Sequence, residues 1–163
     1  IAVEVHGNQL DRGGDPYLFH VMRVAMAMET DEERVVALLH DAIEDVVSTE
    51  ARTLLDFRIA AMYGDDIIMA IFRLTWLHGF HEDYMDYIRR LSANPLAVKV
   101  KLADLMDNMR TERLEKLPPE DRVRLLLKYQ EAYKFLGSLQ KLPTERAPTE
   151  SAKSPDSSQP ESS

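Results

Sequence analysis

The sequence predicts an all-α protein, a compact single-domain bundle of about seven helices. Apolar residues recur at spacings of three and four over most of the first 142 residues, which is the pattern of amphipathic helices. No segment shows the alternation of apolar and polar residues expected of a half-buried strand. The chain has 163 residues and 45% hydrophobic content, which suffice for one buried core.

Residues that favour helix ends separate the periodic segments. Pro16 precedes the first helix, and Thr30 is a candidate N-cap for the second, which runs to His40. The third helix lies between Ser48 and Gly64. Four further helices are predicted over residues 65–74, 82–91, 95–109 and 120–139.

The composition changes near the end of the chain. Residues 143–163 are rich in Ser, Pro, Glu and Thr and have no apolar periodicity. We therefore expect a disordered tail after a folded domain that spans residues 1–142. A linker to a further domain is the alternative interpretation of the same composition.

Composition also excludes several classes of function. The chain has no cysteine, so a metal could be bound only through His, Asp or Glu. The net charge of −8 argues against a nucleic-acid-binding surface, which needs clustered Lys and Arg. Apolar runs fall well short of the ~20 residues of a membrane span, and no signal peptide is recognisable. We expect a cytoplasmic protein without nucleic-acid or membrane partners.

The strongest candidate for chemistry follows an apolar helical segment at His40 and Asp41, with Glu44 and Asp45 close behind. If the helix continued, His40 and Glu44 would share one face, and so would Asp41 and Asp45. Three carboxylates so close together repel one another unless a cation or a proton lies between them. The alternative interpretation is a helix C-terminus with a solvated acidic end.

Two further polar groups interrupt apolar helix faces. His20 shares a face with Tyr17 and points inward, where a hydrogen-bonded core histidine is the alternative to a ligand. Asp104 and Asn108 are four residues apart and can face one cavity. The alternative for this group is a surface salt bridge from Lys101 to Asp104.

Taken in order, these groups resemble a known pattern. Their order is similar to that in the HD hydrolase domain of the RelA/SpoT proteins. The matching pieces are Tyr-x-x-His, then Leu-His-Asp with Glu-Asp three residues on, then Lys-Leu-Ala-Asp-x-x-x-Asn. The chain looks closest to the stand-alone small alarmone hydrolases. The resemblance spans residues 2–136, with further matches at His6-Gly7-x-Gln9, Gly14-x-Pro16-Tyr17 and Leu74-Thr75.

The resemblance implies a metal-dependent phosphohydrolase of the HD superfamily, with one divalent ion that is usually Mn²⁺. The residues that it assigns to the metal are His20, His40, Asp41 and Asp104. The pair that it assigns to activating water and protonating the leaving group is Glu44 and Asp45. The residues that it assigns to the nucleotide are Arg12, Tyr17 and Asn108.

Two stretches depart from the family pattern. The usual Arg before the Gly-Gly step is Asp11 in this chain, and Arg12 falls where a Lys is common, which bears on base recognition. Residues 105–107 are Leu-Met-Asp where the larger enzymes have Arg, Leu and His, which removes a positive charge near the phosphates.

The reaction implied by the resemblance removes the 3′-pyrophosphate of guanosine tetra- or pentaphosphate and releases pyrophosphate with GDP or GTP. The alternatives are a phosphatase or nucleotidase acting on another nucleotide such as NADPH, and a non-catalytic nucleotide-binding module. His78 and His81 are expected in a solvated loop rather than in a second metal site. The last helix is expected to pack in the core, although its periodicity also suits a homodimer interface.

Overall fold

The computed structural model describes residues 1–46, 48–76 and 82–140. Within these ranges the chain forms nine α-helices and one isolated β-bridge, between Leu10 and Pro16. The helices are α1 (Ala2–His6), α2 (Tyr17–Met26), α3 (Asp31–Leu39), α4 (Thr49–Tyr63), α5 (Asp65–Leu74), α6 (Tyr84–Leu91), α7 (Pro95–Asn108), α8 (Thr111–Leu114) and α9 (Pro119–Gln140). The predicted all-α fold is confirmed.

Two of these helices are absent from the sequence-based expectation of about seven. Helix α1 has 5 residues and α8 has 4, which is too short for an apolar period to be recognised. The other seven occur in the predicted order, with ends within a few residues of those expected. The predicted tail at 143–163, together with His78 and His81, lies outside the described residues. Among the helices described, none combines the length and the apolar character that a bilayer crossing requires.

Helix α7 joins two apolar cores. Ala97 and Val100 pack in the larger core, which contains residues of α2 to α5. Val98 and Leu105 pack in a second core with residues of α6 and α9. Because α7 is enclosed by both cores, Asp104 in its second half is also buried.

Packing between α2, α3 and α7 positions the predicted polar residues, since each of these helices contacts the other two. His20 lies within α2, His40 directly follows α3, and Asp104 lies in α7. All three side chains are buried. Segments that are distant in sequence therefore meet at one point inside the bundle.

Helix α3 ends at Leu39, residues 40–44 form turns, and residue 45 is a bend. The shared helix faces expected for His40 with Glu44 and for Asp41 with Asp45 do not form, because the helix does not continue. Ala42 and Ile43 are both fully buried and anchor the turn in the larger core. This anchoring fixes the path of the backbone beside the buried imidazoles.

A capping box fixes the start of α3. Thr30 Oγ1 accepts a hydrogen bond from the Glu33 N–H at 3.2 Å, and Glu33 Oε2 accepts one from the Thr30 N–H at 3.2 Å. Glu33 also binds Lys99 of α7 at 2.9 Å, which links the cap to the central helix. The segment that leads to His40 is therefore held at both ends.

Thr30→Ala should lower the free energy of unfolding by about 1 kcal/mol, because it removes the side-chain acceptor of the Glu33 N–H. Urea unfolding followed by circular dichroism measures this loss. Thr30→Ser retains an oxygen at the same position and is the matched control. Equal losses in the two variants would contradict the role assigned to the Thr30 hydroxyl.

Candidate metal centre and catalytic cavity

His20 is buried on the inner face of α2, and both of its ring nitrogens have polar neighbours. Nδ1 lies 2.7 Å from Asp107 Oδ2, and Nε2 lies 3.1 Å from Asp104 Oδ1. At Nδ1, His20 is therefore hydrogen-bonded as a core histidine would be, which is the alternative that the sequence left open. The Nε2 side faces the other predicted ligands.

His40 is equally buried at the end of α3. Its Nδ1 donates to the carbonyl oxygen of Ala37 at 2.7 Å. Its Nε2 lies 3.0 Å from Asp41 Oδ2 and 3.7 Å from Asp104 Oδ1, and no described residue completes a hydrogen bond to it. A buried imidazole nitrogen in this setting, with the other nitrogen anchored on a carbonyl, is suited to a metal ion.

The ligand atoms of His20, His40 and Asp41 all lie within 4.8 Å of one another. Asp104 Oδ1 adjoins both imidazoles, so the structure brings together all four residues that the sequence analysis assigns to a metal. Two imidazole nitrogens with carboxylate oxygens form a donor set suited to Mn, Fe or Zn. These residues therefore fit a divalent cation.

Three neighbours hold the carboxylates of this centre in place. The Tyr17 hydroxyl donates to Asp41 Oδ2. The Asn108 amide donates to Asp104 Oδ1 at 2.6 Å, and Lys101 Nζ pairs with Asp104 Oδ2 at 2.8 Å. The Lys101–Asp104 salt bridge that the sequence offered as an alternative therefore forms, but it is inside the bundle and not on the surface.

Burial alone would raise the pKa of Asp104, but Lys101 and the two imidazoles hold this pKa well below its usual value. Burial likewise opposes ionisation of Asp41, whose pKa is lowered by His40. These carboxylates raise the pKa of His40 well above its usual value, although burial acts in the opposite direction. A divalent cation at this point would compensate both carboxylates.

A cavity of about 420 Å³ opens over the centre. His20 and His40 lie beneath its lining and are almost inaccessible to solvent. The residues with predicted roles that line it are Arg12, Tyr17, Asp41, Glu44, Asp45, Asp104 and Asn108. Candidate metal, acid–base and nucleotide groups thus share one cavity.

Separate contacts hold the two residues of the acidic pair. Glu44 Oε2 accepts from the backbone N–H of Trp76 at 2.9 Å, and Asp45 Oδ2 accepts from the Gln9 amide at 3.0 Å. Burial raises the pKa of Asp45, which Gln9 partly opposes and Asp41 reinforces. A carboxyl group with a raised pKa in a cavity is suited to proton transfer.

Lys128 is a cavity residue that the sequence analysis missed. Its Nζ lies 3.8 Å from the ring centroid of Tyr84 and 4.5 Å from that of Trp76. Burial, with Lys101 and Arg12 nearby, lowers the pKa of Lys128 to about 8. The expectation that α9 packs in the core is correct for Leu125, Ala132 and Leu136. No sequence pattern indicates which of its polar residues faces aromatic rings from distant segments.

Asp11, at the position of the family's usual Arg, stabilises its own loop through hydrogen bonds to the backbone. Its Oδ1 accepts hydrogen bonds from the N–H groups of Gly13 at 2.9 Å and Asp15 at 3.0 Å. These bonds hold a tight loop in which Gly14 has a φ of 85°, a conformation that glycine adopts readily. Arg12 still reaches the cavity from this loop.

Asp107, where the larger enzymes have His, is buried and is not among the described residues that line the cavity. Arg23 Nε and Arg113 Nη1 each donate to it at 2.6 Å. Burial would raise the pKa of Asp107, but His20 and Arg23 hold this pKa well below its usual value. Asp107 therefore belongs to an ion-pair cluster behind His20 and not to the cavity lining.

No protein-family model matches the chain. The chain is 32% identical over 140 residues to guanosine-3′,5′-bis(diphosphate) 3′-pyrophosphohydrolase of Haemophilus influenzae, and 28% identical over 148 residues to GTP pyrophosphokinase of Myxococcus xanthus. These matches cover 82% and 81% of this chain but 20% and 18% of those proteins. The chain thus spans about a fifth of the length of these curated relatives.

A solved structure of a metazoan ortholog of SpoT, described as hydrolysing ppGpp, has a TM-score of 0.60 and 18% identity, with coverage of 87% of this chain and 92% of that chain. At this identity the likeness shows that the chain has the all-α fold of that SpoT ortholog. Together with the sequence relatives, it confirms the predicted resemblance to the RelA/SpoT-type proteins. For the divalent metal ion that the resemblance implies, His20, His40 and Asp41 form a candidate site.

Asp41→Ala should abolish high-affinity binding of a divalent metal, because it removes one ligand from the group around the two imidazoles. Calorimetric titration of the metal-free protein with Mn²⁺ measures the affinity. Asp31→Ala, at the exposed start of α3, is the matched control and should bind like the unsubstituted protein. Unchanged Mn²⁺ affinity in Asp41→Ala would remove Asp41 from the centre.

Proposed function

We propose that the chain is a metal-dependent hydrolase that removes the 3′-pyrophosphate from guanosine tetra- or pentaphosphate. The observation that supports this best is the convergence of two imidazoles and two carboxylates, from three segments, beneath a cavity that also contains an acidic pair. Relatives named as hydrolases of this bis(diphosphate) give the substrate. Since the chain spans a fifth of their length, the substrate is proposed from the site and the resemblance together.

The residues proposed to bind the metal are His20, His40, Asp41 and Asp104, and Mn²⁺ is the proposed ion. When bound, the ion would lower the pKa of a water molecule and polarise a phosphoryl oxygen. Tyr17 and Asn108 orient the two carboxylates through their hydrogen bonds. The buried imidazoles keep their rings fixed, because each Nδ1 has a partner of its own.

Glu44 and Asp45 are proposed to move protons. The oxygen of water attacks phosphorus, and the bond between phosphorus and the ribose 3′-oxygen breaks. One proton leaves the water and one reaches the 3′-oxygen, so the products are pyrophosphate and a free 3′-hydroxyl. Anchoring of Glu44 on the Trp76 N–H, and of Asp45 on Gln9, keeps both carboxyl groups at the cavity wall for this transfer.

Positive side chains support a substrate with several phosphates. Although the chain has a net charge of −8, its cavity lining includes Arg12, Lys101, Arg113 and Lys128. Aromatic rings of Trp76, Tyr84 and Tyr129 lie in the same lining, where they could contact a base or ribose. The combination suits a nucleotide better than inorganic phosphate.

A panel of nucleotides incubated with the Mn²⁺-loaded protein tests the proposal, with product identification by chromatography and mass spectrometry. Guanosine tetraphosphate should yield GDP and pyrophosphate. If this nucleotide survives while NADPH or a nucleoside monophosphate is dephosphorylated, the protein is a phosphatase for another substrate. If every nucleotide binds and none is cleaved, the fold serves as a binding module.

Glu44→Gln should retain Mn²⁺ affinity and lose most of its turnover, because the amide keeps the shape of the side chain but cannot transfer a proton. General acid–base groups typically contribute about 10²- to 10⁴-fold in rate. Metal titration and single-turnover kinetics on the same preparation separate binding from chemistry. Loss of Mn²⁺ instead would identify Glu44 as a ligand.

The pH dependence of substrate capture should depend on Lys128. Since the pKa of this residue is about 8, its positive charge is present below that pH and is lost as the pH rises through it. Burial opposes protonation most strongly, Lys101, Arg12 and Arg124 add to this effect, and Glu44 favours protonation. We expect kcat/KM for guanosine tetraphosphate to decline above about pH 8.

Lys128→Arg is the matched control for this decline, because a guanidinium keeps its charge throughout the range. The part of the decline due to Lys128 should disappear in this variant. Identical pH profiles for the two proteins would show that Lys128 does not bind the substrate.

A further inference from the structure

We infer that Asp107 is a positioning residue of the metal centre, which fixes the tautomer and the orientation of the His20 ring. Asp104 and Asp107 lie one turn apart on α7, and the His20 ring lies between their carboxylates. Asp104 Oδ1 is 3.1 Å from Nε2, and Asp107 Oδ2 is 2.7 Å from Nδ1. The inference rests on the proposed metal centre, to which it adds a residue outside the ligand set.

Two arginines donate hydrogen bonds to the Asp107 carboxylate and compensate its negative charge. Arg23 donates to both of its oxygens, through Nε at 2.6 Å and Nη2 at 3.0 Å. Arg113 Nη1 donates to Oδ2 at 2.6 Å, and its Nη2 lies 3.5 Å from Asp11 Oδ2. Two aspartates and two arginines thus form a balanced cluster, in which Asp107 has the partners that a buried carboxylate requires.

A carboxylate of this kind can only accept hydrogen bonds, so it selects which nitrogen of His20 holds the proton. Arg113 Nη1 is also 2.6 Å from His20 Nδ1. A guanidinium can only donate, so Nδ1 could accept from Arg113 only with the ring proton on Nε2, whereas its contact with Asp107 Oδ2 requires the proton on Nδ1. We assign the second arrangement, in which Arg113 and His20 both donate to Asp107 Oδ2. With Nδ1 protonated, the lone pair of Nε2 is directed to the side where Asp104 and His40 lie.

The ion pairs of Asp107 with Arg23 and Arg113 also restrict movement of the His20 ring. Arg23 is on the same helix as His20, and Arg113 follows α7 in α8, so the cluster connects three helices behind the imidazole. His40 obtains its orientation differently, from the backbone carbonyl of Ala37. Each imidazole of the centre therefore has its own anchor, and the anchor of His20 is a side chain that can be altered.

Asp107→Asn, His20→Ala and the double variant form the test. The amide of Asn can donate to Nδ1 and so permits the wrong tautomer. Loss of such an outer partner typically costs about 10- to 100-fold in metal affinity. We expect that loss for Asp107→Asn in Mn²⁺ calorimetry. In the His20→Ala background, where only weaker Mn²⁺ binding remains and is titrated at higher Mn²⁺ concentration, the same substitution should cause no additional loss.

Asp121 is a partly exposed aspartate that pairs with Arg124 on α9. Asp121→Asn is the control for removing one negative charge and should leave Mn²⁺ affinity within twofold. An equal loss from Asp107→Asn with and without His20 would overturn the inference, because it would show that Asp107 acts through charge alone. Unchanged affinity in Asp107→Asn would overturn it as well.

Nitrogen-15 spectra of the metal-free protein, recorded over a range of pH, provide a readout that does not depend on folding of any variant. His20 should be found with its proton on Nδ1. A proton on Nε2 in the unsubstituted protein would refute the role of Asp107. If the unsubstituted protein takes up no divalent ion, the proposed metal centre fails, while the spectrum still decides whether Asp107 sets the tautomer.

Discussion

Ionised carboxylates buried at the junction of α2, α3 and α7 constrain the rest of the structure. A charge that is removed from water is tolerated only when partners replace its hydration. Asp104 obtains those partners from α2 through His20 and from its own helix through Lys101 and Asn108. The same side chains that define the centre therefore also specify how the helices must pack.

Helix α7 transmits this constraint, because it belongs to both apolar cores. One core contains residues of α2 and α3, beside the imidazoles, and the other contains residues of α9, which brings Lys128 to the cavity lining. The metal centre and Lys128 are thus both placed relative to α7. The lining also contains carboxylates, so its positive side chains stand beside negative ones.

Much of this arrangement could be predicted from sequence, and the failures have physical causes. Helix periodicity predicts seven of the nine described helices, and the ordered motif predicts the four candidate ligands. The continuation of α3 beyond His40 could not be judged, because burial of Ala42 and Ile43 in a turn depends on tertiary packing. Lys128 and the partners of Asp107 were missed because their contacts join distant segments. The candidate roles of Glu44, Asp45 and Arg12 remain predictions that their positions in the cavity support.

Trp76 is the only tryptophan in the chain, and it lies in the cavity lining with its indole N–H bonded to the carbonyl of Glu82 at 3.0 Å. Its backbone N–H also binds Glu44. The protein consequently contains a natural fluorophore whose emission comes from one defined location beside the candidate acid–base pair. Changes in occupancy of the cavity can be followed optically, without a label, even in variants that have lost all turnover.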